Sequence, residues 1–195
     1  MTSRPLAGRV GAVVIGTSAG GVEALSVILP ALPATFRPPV FVVLHLPRER
    51  PSLLAEIFQP RCALPVREAD DKEPIEAGTV YFAPPDYHLL IEKDGTVALS
   101  NDDLVNFSRP SIDVLFESAA EAYGARLLGV ILTGANRDGA DGLAAVRGAG
   151  GIAVVQDPAE AQAAMMTEAA LARTAVDYVL PLKEIAALLK TIEGT

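Results

Sequence analysis

Val10-Gly-Ala-Val-Val-Ile-Gly-Thr-Ser-Ala-Gly-Gly-Val-Glu-Ala-Leu25 decides how the rest of this chain is read. An apolar, β-branched run over residues 10–15 predicts a buried strand. Gly16, Ser18 and Gly20 follow at the spacing of a nucleophile elbow, and from Val22 the pattern turns helical. Glycines on either side permit a tight turn with the Ser18 hydroxyl at its tip. A helix behind the turn offers free backbone N–H groups and a dipole that favours negative charge. The turn alone is ambiguous. It fits a catalytic serine, a phosphate-cradling loop or a plain structural turn. The nucleotide readings fit poorly, because there is neither a third glycine at Gly-x-Gly-x-x-Gly spacing nor a Gly-Lys-Ser/Thr.

Working outward, residues 1–9 read as a short flexible lead and residues 10–195 as one domain. A helix over residues 21–32 and a proline-rich connection over 33–39 lead to a second buried strand, Val40-Phe-Val-Val-Leu44, which ends in His45. Pro47 then breaks the chain, and a helix runs from Ser52 to Phe58 before Pro60. Short strand candidates at residues 64–69, 79–83, 88–92 and 96–100 are separated by Ala77-Gly78, Pro84-Pro85-Asp86 and Asp94-Gly95. They read together as an antiparallel insertion. Ser111 suits the N-cap of a helix reaching Tyr123, with Asp113 complementing its dipole. Strands at residues 126–132, 152–156 and 178–180 alternate with helices up to residue 192. The expected class is α/β: a doubly wound, three-layer α/β/α fold with a mostly parallel sheet and a short antiparallel insertion.

With 195 residues, half of them apolar, the chain can bury a large aliphatic core. Its net charge of −8 argues against a nucleic-acid partner or an anionic membrane. No apolar run approaches the roughly 20 residues of a membrane span, and nothing resembles a signal peptide, so a cytoplasmic location is expected. Cys62 is the single cysteine, which excludes an internal disulfide and a cysteine metal cluster.

Sites in an open parallel sheet form beyond the carboxyl ends of its strands. Ser18, His45 and Asp138 each follow a strand and fall on that edge. Together they are what nucleophilic acyl transfer needs: a nucleophile, a base, and an acid that fixes the base's tautomer. The only other histidine, His88, opens an antiparallel strand away from the edge and reads as structural. Asp141 reads as a helix-capping residue and Asp157 as a turn residue. Asp138 itself could instead cap the helix that starts near Gly139.

Several motifs in order, Ile15-Gly-Thr-Ser-Ala-Gly-Gly-Val-Glu-Ala24, Leu44-His-Leu-Pro47, Ala83-Pro-Pro-Asp-Tyr-His88, Arg109-Pro-Ser-Ile-Asp-Val-Leu-Phe116 and Val130-Ile-Leu-Thr-Gly-Ala-Asn-Arg-Asp-Gly-Ala140, resemble the catalytic domain of the CheB-type protein-glutamate methylesterases. The likeness continues through Gln156-Asp-Pro158 and Val176-Asp-Tyr-Val-Leu-Pro181. The resemblance implies a serine hydrolase that removes methyl groups from glutamyl γ-methyl esters on cytoplasmic chemoreceptor helices, releasing methanol, and that in many members also deamidates receptor glutamines. It implies Ser18 as nucleophile, His45 as base and Asp138 as orienting acid, with no metal or cofactor. It further implies oxyanion donors at the backbone N–H groups of Ala19 and Ala135. Arg109 is a candidate contact to acidic neighbours on the receptor helix or, equally, a loop arginine packing before Ser111.

The chain departs from the family pattern in three ways. Ala19 stands where a threonine is usual. Asn136 replaces a glycine, and Arg137 adds a cation next to Asp138. Only about nine residues precede the first strand, so no phosphoacceptor receiver fits there; a stand-alone esterase or a domain of a longer chain is expected. A separate receiver, kinase or methyltransferase protein is then a candidate partner. Two other classes fit the same residues: a serine hydrolase for a different ester or amide, and a non-catalytic signalling module.

Overall fold

A computed structural model of the protein describes residue 6 and residues 8–46 and 51–192; the chain break expected at Pro47 lies outside the described residues. The first elements are β1 (Ala12–Thr17), α1 (Gly21–Ile28), β2 (Val40–Leu44), α2 (Leu54–Phe58), β3 (Val66–Glu68) and β4 (Val80–Phe82). There follow β5 (His88–Ile91), β6 (Val97–Ser100), α3 (Ile112–Tyr123), β7 (Leu127–Ile131) and α4 (Ala140–Gly148). The chain continues through β8 (Ile152–Gln156), α5 (Met165–Arg173), β9 (Tyr178–Leu180) and α6 (Leu182–Lys190). Seven strands form one parallel sheet in the order β3-β4-β2-β1-β7-β8-β9.

The valine-rich strands are apolar throughout because both faces are covered. One core layer joins Leu25 and Ile28 of α1, Phe58 of α2 and Ile185 and Leu189 of α6 to inward residues such as Val13 and Val42. The other joins Leu115, Phe116 and Ala119 of α3, Leu143 of α4 and Ala170 of α5 to Val14, Val43 and Ile131. Leu6, inside the lead expected to be flexible, is buried against the first layer and so anchors the described part of that lead.

The four short strands do not form one insertion. Only β5 and β6 pair antiparallel, through the Asp94-Gly95 turn. β3 and β4 lie parallel to β2 and extend the main sheet, with Val66 opposite Val80 and Val80 opposite Val40. Residues 69–79 form a crossover between them. Turn residues mark where strands end, not which strand they pair with. All three residues of β4 are buried, as a position inside a covered sheet requires.

Strand order reverses between β1 and β7, the switch point at which open α/β sheets bind ligands. Register brings the strand ends level. Thr17 lies opposite Leu44, and the next N–H, that of His45, donates to the Thr17 carbonyl at 3.2 Å. Gly16 lies opposite Ile131, and the Ser18 N–H donates to the Thr133 carbonyl at 2.9 Å. β1 runs two residues further than expected, so Gly16 is a strand residue rather than part of the turn. Its missing side chain admits Ile112 of α3, whose Cγ2 a methyl at Gly16 would strike. The turn is made by Gly20, with φ +78°.

Candidate active site

Asp138 is fully buried in the loop after β7, yet it is held as an anion. Its Oδ2 accepts from His45 Nε2 at 2.9 Å and from the Ile112 N–H at 2.6 Å. Its Oδ1 accepts from Ser111 Oγ at 2.8 Å, Asn106 Nδ2 at 3.1 Å and the Asp113 N–H at 3.2 Å. Burial alone would raise this carboxyl; the His45 ring and the Ile112 N–H outweigh it and hold the group below its ordinary value. The carboxylate sits on the N-terminus of α3, where the dipole favours it. Asp138 therefore caps not the helix that follows it but α3. In exchange, Asp113 of α3 caps α4, accepting at Oδ1 from the N–H groups of Gly139 (3.0 Å) and Gly142 (2.6 Å). Ser111, expected to cap α3 with its own hydroxyl, gives that hydroxyl to Asp138 instead.

Asn106 bridges the two acids, with Nδ2 2.7 Å from Asp113 Oδ2. It adopts φ +50°, and the next residue, Phe107, φ +60°. Asparagine is among the few residues that tolerate this region, but nothing in its sequence neighbourhood marks it as a bridge. Burial pushes Asp113 up to about 6, and facing Asp138 adds to the shift, against the Gly142 N–H and Asn106, which lower it. The folded chain thus binds a proton on Asp113 at a pH where the unfolded chain, near 3.8, does not. Stability from this group is present below the unfolded value and lost as pH rises through about 6. A 13C titration of the Asp113 carboxyl is expected to show a midpoint near 6, moving down in Asp138→Asn; a midpoint at or below 3.8 in the parent chain would contradict a carboxyl raised by burial and by facing Asp138.

His45 donates from Nε2 to Asp138, so in the neutral ring Nδ1 carries the lone pair. Asn136 Nδ2 donates to that nitrogen at 3.2 Å. His45 and Ser18 line one cavity of about 200 Å3, together with Leu46, Phe107, Ser108, Arg109, Pro110 and Asn136. Among the described residues the Ser18 hydroxyl has no hydrogen-bond partner, so the His45–Asp138 arm is joined and the Ser18–His45 arm is not. Asp138 takes Nε2 here and leaves Nδ1 for a nucleophile, the reverse of the nitrogens in chymotrypsin-like triads.

The Ser18 turn is fixed from below by Thr133. Its Oγ1 donates to the Ala19 carbonyl at 2.8 Å and accepts the Ala163 N–H at 2.9 Å. Its backbone N–H is held by buried Gln156 at 2.9 Å, and its carbonyl also accepts from Thr17 Oγ1 at 2.8 Å. Among the described residues neither the Ala19 nor the Ala135 N–H has an acceptor.

The remaining candidates sort as follows. Arg109 lines the cavity, but its guanidinium faces its own loops. Nε and Nη2 bond Asp86 Oδ1 at 3.1 and 2.8 Å, and Nη1 bonds the Asn101 and Asp102 carbonyls at 2.7 and 2.9 Å. Arg137 does not sit against Asp138; it is exposed and reaches Asp141 at 3.8 Å. Asp141 also pairs with Arg173 on the surface. His88 is buried, accepting the Ser111 N–H at Nδ1 (3.1 Å) and donating from Nε2 to the Asp103 carbonyl (3.0 Å). It steadies the loop that carries Ser111 and thereby Asp138. Among the described residues no group of three or more His, Cys, Asp or Glu side chains could hold a metal ion. None of their helices is long and apolar enough to cross a membrane.

A family model described as CheB methylesterase matches residues 13–189. The chain belongs to the CheB methylesterase family. The crystal structure of the Thermotoga maritima CheB methylesterase catalytic domain superposes with a TM-score of 0.88 at 35% identity, covering 94% of this chain and 99% of that one. A Leptospira interrogans protein, named by inference as a protein-glutamate methylesterase/protein-glutamine glutaminase, is 52% identical over 177 residues, 91% of this chain and 92% of that protein. The protein-glutamate methylesterase/protein-glutamine glutaminase 2 of Anaeromyxobacter dehalogenans is 42% identical over 186 residues. The match takes in 95% of this chain but only 54% of that longer CheB-family relative.

Proposed function

We propose that this chain is a serine hydrolase that demethylates glutamyl γ-methyl esters on the cytoplasmic helices of chemoreceptors and deamidates glutamines presented at the same positions. The observation that carries the reading is the His45–Asp138 bond at 2.9 Å. It leaves one basic nitrogen for a cavity that also holds Ser18, in a chain of a methylesterase family. In the cycle, His45 Nδ1 takes the Ser18 proton as Oγ bonds the ester carbon. The Ala19 and Ala135 N–H groups meet the oxyanion, each donor worth on the order of 3 kcal/mol. The C–O bond breaks, the proton passes from Nδ1 to the departing oxygen as methanol, and water then hydrolyses the acyl-enzyme by the same base. For glutamine the leaving group is ammonia. Asp138 stabilises the imidazolium throughout.

A cavity of about 200 Å3 is smaller than a typical small-molecule pocket and suits the end of a side chain offered from a protein surface. The reading places the enzyme in the cytoplasm. It includes a second partner, a separate receiver, kinase or methyltransferase protein, and no nucleic acid. Arg109, tied to Asp86, shapes the cavity wall rather than gripping the receptor. The test is methanol release from methylated receptor membranes, with ammonia release from receptors carrying glutamine at the same positions. Methanol from the receptor ester supports the reading. Hydrolysis of small esters with none from the receptor would place the enzyme on a different substrate.

A further inference from the structure

We propose that Asn136 is a latch on the base, masking His45 Nδ1 until an ester enters the cavity; this rests on the reading of Ser18 and His45 as nucleophile and base. With Nε2–H committed to Asp138, Nδ1 is the only nitrogen able to take the serine proton. That nitrogen has one in-plane lone pair, and Asn136 Nδ2 lies 3.2 Å from it. The amide cannot be the other way round. Asn136 Oδ1 accepts the Asp138 N–H at 3.1 Å. A flipped amide would set its NH2 against that N–H and its oxygen against the Nδ1 lone pair. The Ser18 hydroxyl, on the same cavity, has no hydrogen-bond partner among the described residues. Asn136 thus occupies the place the serine proton must reach.

Asn136 is only half-buried, on a loop between exposed Ala135 and exposed Arg137, so its side chain can swing without disturbing the core. An ester seated against Ser18 displaces the amide from Nδ1, and the Ser18 O–H takes its place. The bond that masks Nδ1 is one neutral hydrogen bond, and swinging away also releases the Asp138 N–H from Oδ1; deleting the mask changes the rate by about three- to tenfold. The sign separates a latch from a support. A residue that merely positioned His45 would slow the enzyme when removed, whereas removing a latch speeds it.

Two variants test this. Asn136→Gly deletes the side chain. Asn136→Ser keeps an oxygen able to accept the Asp138 N–H, as serine does in such turns, but is too short to reach His45. The readout is the second-order rate of fluorophosphonate labelling of Ser18, followed by intact mass, with Ser18→Ala as the blank. Both variants are expected to label about three- to tenfold faster than the parent. In 15N-labelled protein, the His45 Nδ1 signal is expected to move in Asn136→Ser. Labelling of Asn136→Ser at or below the parental rate would overturn the latch and leave the nucleophile assignment standing, as would an unmoved Nδ1 signal. Absence of Ser18 labelling in the parent and both variants would instead overturn the nucleophile assignment, and the latch with it.

Discussion

Ser18→Ala is expected to lower kcat for methanol release by roughly 10^4- to 10^6-fold, since losing a triad nucleophile removes nearly all of the covalent pathway. The fold should be unaffected. The Ser18 side chain has no hydrogen-bond partner among the described residues. Its N–H bond to the Thr133 carbonyl, which sets the turn, is backbone and survives the change. Far-UV spectra and the melting temperature should therefore match the parent. Turnover within about tenfold of the parent would mean that another group attacks the ester. The fall in rate without a fall in stability is the informative pair, because a structural serine would give the opposite combination.

Asp138→Ala should be costly on both counts. Five donors converge on this carboxylate: the His45 ring, the Ser111 hydroxyl, the Asn106 amide and the N–H groups of Ile112 and Asp113. In a fully buried position, deleting the acceptor leaves those donors unsatisfied and uncaps α3. A loss of about 3–5 kcal/mol in urea unfolding is expected, the range for removing one partner of a buried charged network. Asp138→Asn separates chemistry from architecture. It keeps the shape but presents an amide to His45, which favours the wrong tautomer and lowers kcat by about 10^4-fold. Its stability should fall much less than that of Asp138→Ala. If Asp138→Asn turned over as fast as the parent, orienting His45 would not be the role of this acid.

Much of the frame is legible in the sequence because of how a doubly wound sheet is built. Runs such as Val40–Leu44 are apolar throughout, since both faces are covered, and polar residues appear where the chain leaves the sheet. That is why Ser18, His45 and Asp138 can be picked out from strand ends alone, and why the register of β1 with β2 and β7 brings those ends level. What sequence could not give is pairing across long separations. β3 and β4 look like hairpin strands because Gly78 and Pro84 punctuate them, but their partners are decided by the shared core. The exchange of caps between Asp138 and Asp113 is equally hidden. Each acid lies near its own helix start, and local spacing assigns each to the wrong helix. Asn106 carries no motif, and Thr133 and Gln156 lie inside motifs that do not reveal their part: Asn106 serves two buried carboxylates, while Thr133 and Gln156 serve buried backbone groups that need partners. Asn136 was visible as a departure from a family glycine, but its reach to His45 depends on the loop geometry around Asp138.

The central claim is that Ser18 is the attacking group, activated by His45. The most direct measurement is peptide mass spectrometry of the chain after reaction with a fluorophosphonate. A single adduct on Ser18, absent in His45→Ala, is the expected result. An adduct on another residue, or methanol release from the receptor by a chain that takes up no adduct at Ser18, would contradict it.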